Sequence, residues 1–318
     1  MKLIVQIPCF NEEATLPETL AAIPRAIEGV DQVEIMVIDD GSGDETSRVA
    51  RRSGTDHVLR LPRNQGLARA FSAGIEHALG LGADIIVNTD ADNQYCADDI
   101  PALIAPILLG EADIVIGERP IESIEHFSPI KKVLQRLGSA AVRFFSQTEV
   151  RDAPSGFRAF SRRAAMRLNV FNEYTYTLET VIQAGQKHMA IASVPIRVNN
   201  PTRESRLVRN IPDYVRRSIA TILRVFIVYR PLRFFSLLSA LTFLPGFILG
   251  LRFFYYFVIG QGQGKIQSVV LAAFLMGLGF LLLVIGIVTD LISVNRKLLE
   301  QANARLFEIE DRINRLTR

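Results

Sequence analysis

Asp90 and Asp92 are separated by one residue and follow the apolar run at 84–88, in the sequence Thr89-Asp90-Ala91-Asp92-Asn93-Gln94. Two carboxylates one residue apart at a strand end can face one hard cation, and Mg2+ or Mn2+ held by one or two carboxylates completes its shell with phosphate oxygens. That is chemistry for a diphosphate. An Asp-x-Asp alone also describes a capped turn, so its weight depends on its neighbours. The sequence contains no Cys-x-x-Cys pair and no His-Glu-x-x-His, so any metal here is held by carboxylates.

Three other segments share this chemical character. Ile7-Pro8-Cys9-Phe10-Asn11-Glu12-Glu13 reads as a strand-to-helix turn, which brings backbone amides, an aromatic ring and a helix N-terminus to one edge of a sheet. That suits a nucleotide. Asp39-Asp40-Gly41-Ser42-Gly43-Asp44-Glu45-Thr46 superficially copies a dinucleotide glycine fingerprint, but its third position is Thr46 and two carboxylates stand where a pyrophosphate would approach. A carboxylate there is better used to accept from a base N–H or a ribose hydroxyl, or simply to hold the turn. The last segment is Asp152-Ala153-Pro154-Ser155-Gly156-Phe157-Arg158, followed by Arg203, Arg206 and Arg209. Guanidinium forks bind phosphate bidentately, so these arginines suit a lipid phosphate or, more generally, anionic headgroups.

The elements that must position these residues are legible from periodicity. Short β-branched or apolar runs at 3–7, 33–38, 84–88 and 113–117 alternate with helical spacing at 12–28 and 68–81. Alternation of this kind predicts βαβ units, a mainly parallel α/β sheet and a site at the carboxyl ends of the strands. The 318 residues carry Lys+Arg 36 against Asp+Glu 33, so neither nucleic-acid wrapping nor an acidic tail is indicated. Only Cys9 and Cys96 are present, which excludes a disulfide scaffold and predicts reduced thiols.

Beyond residue 200 the composition changes. Eight arginines fall at 203–233 against Glu204 and Asp213, and Ile211, Val215, Ile219, Ile222 and Phe226 form a stripe at alternating steps, as in a helix lying in a headgroup layer or packed on a core. Uncharged runs at 234–251 and 268–289 follow, each long enough to cross a hydrocarbon core of about 30 Å, in a chain whose mean hydropathy is +0.22. The arginines before the first run and Arg296, Lys297 and Arg305 after the second predict that both flanks are cytoplasmic. Leu299, Ala302, Leu306, Ile309, Ile313 and Leu316 repeat at three- and four-residue steps, a seam for a homo-oligomer, a tetramer among the options, or a stripe packed on the protein's own first domain. The expected organisation is a cytoplasmic domain at 1–205, amphipathic juxtamembrane helices at 206–232, transmembrane helices at 233–259 and 266–292, and a cytoplasmic helix at 295–318.

Taken together, 7–12, 37–46, Arg63-Asn64-Gln65-Gly66-Leu67, 90–94, Gly117-Glu118-Arg119 and Ser155-Gly156-Phe157-Arg158 resemble the family 2 glycosyltransferases of GT-A fold. Within them the chain is similar to the polyprenyl-phosphate group, which includes dolichol-phosphate mannose synthase and bacterial undecaprenyl-phosphate glucosyltransferases. The resemblance implies that Pro8, Phe10, Asn11, Glu12 and Asp40 hold base and ribose, with Arg63 and Gly66 in the same nucleotide-sugar set. Asp90 and Asp92 would hold Mg2+ or Mn2+ with the diphosphate, Gln94 would serve the metal or sugar, and Arg119 would lie near the diphosphate. Ser155 and Arg158, with Arg203, Arg206 and Arg209, fall to the acceptor phosphate. Asp152 is expected to be a catalytic or acceptor-orienting carboxylate, or a turn before Pro154. Phe10 stands where the family often has Tyr, and without any Trp the QxxRW motif of processive synthases is absent.

The function expected from these residues is inverting, metal-dependent transfer of one sugar, UDP-glucose favoured as donor, to undecaprenyl phosphate or a similar lipid at the cytoplasmic face of the cell membrane. The alternatives are mannose from GDP-mannose, GlcNAc or an amino-arabinose from UDP donors, or a non-catalytic nucleotide-sugar-binding subunit that organises a flippase or partner transferase.

Overall fold

The computed structural model describes residues 1–120, 148–168, 176–199, 230–261 and 266–316, together with isolated positions between them. Contacts divide the chain into two compact units, Met1–Ser218 with Ala304–Arg318, and Ile219–Asn303.

The first unit opens with β1 (Lys2–Cys9), α1 (Leu16–Ala22), β2 (Gln32–Asp39), α2 (Thr46–Arg52), β3 (His57–Arg60), α3 (Leu67–Gly80) and β4 (Ile85–Asn88). It continues with α4 (Ile100–Leu108), β5 (Ile114–Glu118), β6 (Arg158–Ser161), α5 (Arg162–Arg167), α6 (Thr177–Gln186) and β7 (Ile191–Pro195). The strands form one sheet in the order β3-β2-β1-β4-β6-β5-β7. All pairings are parallel except those of β6, which runs antiparallel to both β4 and β5. Strands covered on both faces read as continuous apolar runs, which is why Leu3, Ile4, Val5 and Ile7 of β1, Ile35 to Ile38 of β2 and Ile85 to Val87 of β4 are fully buried.

The three expected strands at 33–38, 84–88 and 113–117 appear within a residue or two of those limits, and the expected helix at 68–81 is α3. The helix expected over 12–28 is only the seven residues of α1. The backbone turns extended at Ile23 ahead of Pro24, and proline disfavours helical geometry in the residue before it. The expected amphipathic stretch at 206–232, with Arg203, Arg206 and Arg209, lies outside the described residues apart from isolated positions and its last three residues. Both cysteines are free thiols, as their number suggested.

Two helices are long and apolar enough to cross a membrane, α7 (Pro231–Val258) and α8 (Ile266–Leu316); the second unit contains α7 and α8 as far as Asn303. Only 11% and 17% of their most apolar windows is buried within the protein, so neither has the surroundings of a core helix. The stretches expected as a span at 266–292 and a tail helix at 295–318 run on as one helix through Leu316. Within this unit small residues let the two backbones approach. A Cβ added at Gly246 would stand 2.8 Å from Leu275 Cβ, one at Gly279 would stand 2.7 Å from Phe243 Cβ, and one at Gly286 would stand 2.8 Å from Phe235 Cβ. Ser239 Oγ donates to the Gly279 carbonyl at 2.7 Å, in line with the small-residue packing and interhelical hydrogen bonds of membrane helices.

Replacing Gly279 by valine forces Phe243 and its backbone aside, an overpacking expected to cost about 1–3 kcal/mol. Gly277, two residues away, has open space where its Cβ would go. Thermal unfolding of the detergent-extracted protein is expected to fall clearly for Gly279→Val and little for Gly277→Val; equal midpoints would show that the glycine contact does not hold the hairpin.

Candidate active site

The carboxyl ends of β1, β2 and β4 meet at one edge because these strands are parallel neighbours, with β1 between the other two. Chain order reverses across β1, and at such a switch point loops separate and leave a crevice. Three of the four chemically marked segments therefore converge without further assumption: the turn after Cys9, the turn after Asp39 and the acidic turn after Asn88.

The nucleotide side is built as a set of interlocked loops. Phe10 is 40% exposed at the end of β1, a ring available for stacking. Asn11 has φ 55°, a left-handed conformation that asparagine tolerates, and its Oδ1 accepts from Gly43 N at 2.9 Å while its own amide donates to Ser42 Oγ at 3.0 Å. Glu12 is largely buried, accepts from Thr15 Oγ1 at 2.8 Å and donates its amide to Thr46 Oγ1 at 2.9 Å. Pro8 is a buried residue of β1, paired with Ile38. Asp40 accepts from Gln65 N and Gly66 N, both at 2.8 Å, and is 3% exposed. Burial pushes its pKa above the ordinary carboxylate value, against the pull of those two amides. Gly41 completes the lock: its φ is +69°, and a Cβ there would stand 2.4 Å from the Arg63 backbone.

Asp40, expected to meet a base or ribose, accepts one backbone amide at each oxygen from the loop at 65–66 and presents little surface. Asn11 and Glu12 likewise tie β1 to the loop after β2, while Arg63 is exposed and Phe10 is the open feature of this side.

Asp90 and Asp92 lie at the rim of the same edge, each partly exposed. Asp92 Oδ1 accepts from Gln94 N at 3.1 Å, and Asn93 takes the left-handed conformation at φ 53°. Burial, then the Asp92 carboxylate, push the Asp90 pKa up to about 7, with Arg119 opposing them. Among the described residues no cluster of three or more His, Cys, Asp or Glu suits a metal. The pair nonetheless fits a divalent cation that shares its shell with phosphate oxygens, because its donors are hard and their mutual repulsion is what such a cation would relieve. The wall beside Asp90 is shaped to match: a Cβ on Gly156 would stand 3.1 Å from both Asp90 oxygens, so any side chain there would press on the carboxylate.

The basic residues divide sharply. Arg119 Nε and Nη2 donate to Asp152 Oδ2 and Oδ1 at 2.7 and 2.9 Å, and the Arg119 amide adds a third bond at 3.2 Å. Burial works against the Arg119 charge, but Tyr95, the Asp152 bonds and Asp90 outweigh it and raise its pKa. Asp152, expected as a catalytic or acceptor-orienting carboxylate or as a turn before Pro154, is 1% exposed and holds Arg119. Arg158, expected at the acceptor phosphate, is enclosed in the same way. Its guanidinium is fully buried and donates to Ser155 O and Thr177 O at 2.8 Å, Thr180 Oγ1 at 2.6 Å and Ala153 O at 2.5 Å. Burial lowers its pKa to about 10, so it stays charged at neutral pH. Ser155 is also fully buried, with an Oγ that finds no partner. Neither side chain has exposed surface; Ser155 lies in the turn before β6 and Arg158 is the first residue of that strand.

Comparison with known proteins adds the identity of the scaffold. The family model for glycosyl transferase family 2 matches residues 4–168, which contain the whole edge just described. The chain belongs to glycosyl transferase family 2. It is 30% identical to a UDP-N-acetylglucosamine–dolichyl-phosphate N-acetylglucosaminyltransferase of Methanococcus voltae, over 60% of this chain and 83% of that one. It is 26% identical to a polyprenol monophosphomannose synthase of Mycolicibacterium smegmatis, over 61% and 76% of the two chains. Among solved structures it resembles glucosyl-3-phosphoglycerate synthase from Mycobacterium tuberculosis in complex with Mn2+, UDP and glucosyl-3-phosphoglycerate, with a TM-score of 0.58 and 25% identity over 70% of this chain and 79% of that one. A family 2 chain of GT-A fold is therefore a glycosyltransferase, which removes the non-catalytic organising subunit from the alternatives.

Residues that the motifs did not single out stand behind Gly156, whose added Cβ would meet Asp90: Asn88, Tyr95 and Tyr176, with Gln6 bonded to Asn88, all buried. Gln6 and Asn88 left a signal, since each is a polar residue inside or ending an apolar parallel strand.

Two outcomes follow from the electrostatics. Truncating Arg158 to alanine leaves buried carbonyls without donors, and Arg158→Ala is expected to lower stability by about 3 kcal/mol or more by chemical denaturation, where an exposed acceptor-binding arginine would cost little. The second concerns pH. The folded pKa of Asp90 lies above its ordinary value of 3.8, so between the two the folded state holds a proton that the unfolded state releases, and this contribution is lost as pH rises from about 4 through about 7. Metal-free Asp90→Asn protein is expected to show a shallower decline in thermal midpoint over that interval than the parent; parallel curves would contradict the shift.

Proposed function

We propose that this family 2 glycosyltransferase moves one sugar from a nucleoside diphosphate sugar to a polyprenyl phosphate, with inversion at the anomeric carbon, at the cytoplasmic face of a membrane. The observation that carries the reading is the Asp90/Asp92 pair at the strand edge beside the exposed Phe10, in a chain that also contains two membrane-length apolar helices. Of the relatives that the chain matches over most of their length, one is named for transfer to dolichyl phosphate and another for making polyprenol monophosphomannose, which supports the same acceptor class here.

The chemistry asks little of a general base. A phosphate acceptor is already ionised near neutral pH, so an in-line attack depends on positioning and on stabilising the leaving diphosphate. Asp90 and Asp92 would hold Mg2+ or Mn2+, which when bound supplies Lewis-acid stabilisation of the departing diphosphate oxygens. Phe10 stacks on the base, and Arg119, fixed by Asp152, adds positive charge beside Asp90. Arg203, Arg206 and Arg209 are proposed to grip the acceptor phosphate as it approaches from the lipid layer. Mannose and GlcNAc take precedence as donor sugars over the glucose expected from the sequence, because the relatives are named for those two; the UDP and glucosyl product in the solved neighbour keep glucose in the test. Both chain termini are assigned to the cytoplasmic side from the arginine-rich flanks, and the exposed Leu299, Leu306 and Ile309 support self-association through α8.

The deciding experiment incubates the purified full chain with undecaprenyl phosphate, Mg2+ or Mn2+, and UDP- and GDP-sugars one at a time, and reads the lipid by mass spectrometry. A mass gain of one hexose or one N-acetylhexosamine is expected; nucleotide release without a lipid product would overturn the acceptor assignment. With the productive donor, Asp92→Ala is expected to lose turnover on the order of a thousandfold, the worth of several kcal/mol of transition-state charge stabilisation, while still folding and entering membranes. Near-normal turnover would end the metal account.

A further inference from the structure

Gly156 lies in a segment that the sequence assigned to the acceptor, yet its surroundings place it elsewhere. The residue is buried, and its φ lies outside the left-handed region, so what demands glycine here is space and not backbone conformation. A Cβ would meet Asp90 Oδ1 and Oδ2 at 3.1 Å each and the Tyr176 hydroxyl at 3.2 Å.

Both peptide groups of Gly156 are pinned. Its N–H donates to Tyr95 Oη at 2.9 Å, and its carbonyl accepts from Asn88 Nδ2 at 3.0 Å and from Tyr176 Oη at 3.2 Å. Asn88 Nδ2 also donates to Tyr176 Oη at 2.7 Å, and Asn88 Oδ1 accepts from Gln6 Nε2 at 3.0 Å. The rings are fixed in turn: Tyr176 stacks on Phe71 with centroids 3.9 Å apart at 3°, and Tyr95 stacks on Phe157 at 5.2 Å and 13°. Every member of this set is at least nine-tenths buried. Nothing in it reaches solvent to bind a lipid; it ends against one side of the Asp90 carboxylate.

We infer that Asn88, Tyr95 and Tyr176 clamp the Gly156 peptide as a wall without a side chain that sets the position of the Asp90 carboxylate for a divalent cation. They are positioning residues, acting through Gly156 and Asp90. The inference rests on the proposed metal role of Asp90 and Asp92 and deepens it by naming what orients the pair. Groups that orient a metal ligand from behind change metal affinity by about 10–100-fold when removed, while leaving distant binding determinants alone.

The test is Mn2+ binding to the full chain in detergent, followed by the loss of the free Mn2+ electron paramagnetic resonance signal, with UDP and with GDP. Binding of each nucleotide in EDTA is measured alongside. Gly156→Ala is expected to weaken Mn2+ binding about tenfold or more with nucleotide affinity in EDTA unchanged. Tyr176→Phe, which keeps the stack on Phe71 and removes only the hydroxyl, is expected to weaken Mn2+ several-fold in the same selective way, and it decides the question if Gly156→Ala fails to fold. Asp92→Ala separates the two levels. If it loses Mn2+ while Gly156→Ala and Tyr176→Phe bind as the parent does, the wall does not position Asp90 and the inference falls while the metal reading stands. If both variants lose EDTA-resistant nucleotide binding in step with Mn2+, the network is a general scaffold and the inference also falls. Parent-like Mn2+ affinity in Asp92→Ala would remove the metal reading and this inference with it.

Discussion

Two carboxylates brought within reach of each other at a partly buried edge repel, and the polar architecture of the first unit is arranged around that repulsion. The Asp90 charge is opposed by its own burial and by Asp92, and the cations that count against them are Arg119 first and Arg158 second. A buried guanidinium is itself unfavourable unless its charge and its donors are met, and Asp152 meets both with a two-pronged bond. The acidic pair is left only partly compensated. That residual negative potential is what gives a hard cation a reason to bind at this edge, and a diphosphate a reason to follow it.

The same constraint explains why the turn at 152–158 is so densely bonded. It must deliver Asp152 to Arg119, deliver Gly156 to Asp90 and start the antiparallel strand β6 between β4 and β5. Arg158 holds it by reaching back to the carbonyls of Ala153 and Ser155 and across to Thr177 and Thr180 of the helix behind. One buried cation thus ties four acceptors together, and the loop gains the rigidity of the elements on either side. Charged residues sit inside this fold because they are saturated with partners.

How far the sequence could be read depended on whether a residue's type also fixed its direction. Parallel strands announce themselves by apolar runs, so β1, β2, β4 and β5 were legible, and their shared polarity was enough to bring the turns at 9–13, 39–46 and 89–94 to one edge. The strands β3 and β7 are only partly buried and β6 begins with Arg158, so none of the three carries that signature. At the site a motif gives identity and spacing, while the choice between facing outward and facing a carbonyl or amide is made by packing: Asp90, Asp92 and Phe10 keep exposed surface at that edge, whereas Arg158, Ser155, Asp152 and Asp40 are enclosed. Tyr176 belongs to no motif; only the fold brings it beside Asn88.

The sequestration of Asp152 bears on the reaction itself. A transferase acting on a hydroxyl acceptor needs a base within reach of the proton to be removed, and the carboxylate that looked suited to it is closed off by Arg119 with almost no exposed surface. An acceptor that arrives as an ionised phosphate has no such proton. The site can then commit its acidic residues to orienting a cation and a counter-charge, and it gains by doing so, since a free carboxylate near an incoming phosphate would repel it. The geometry of Asp152 and the proposed phosphate acceptor are thus two sides of one electrostatic requirement: negative charge must be engaged before the nucleophile enters.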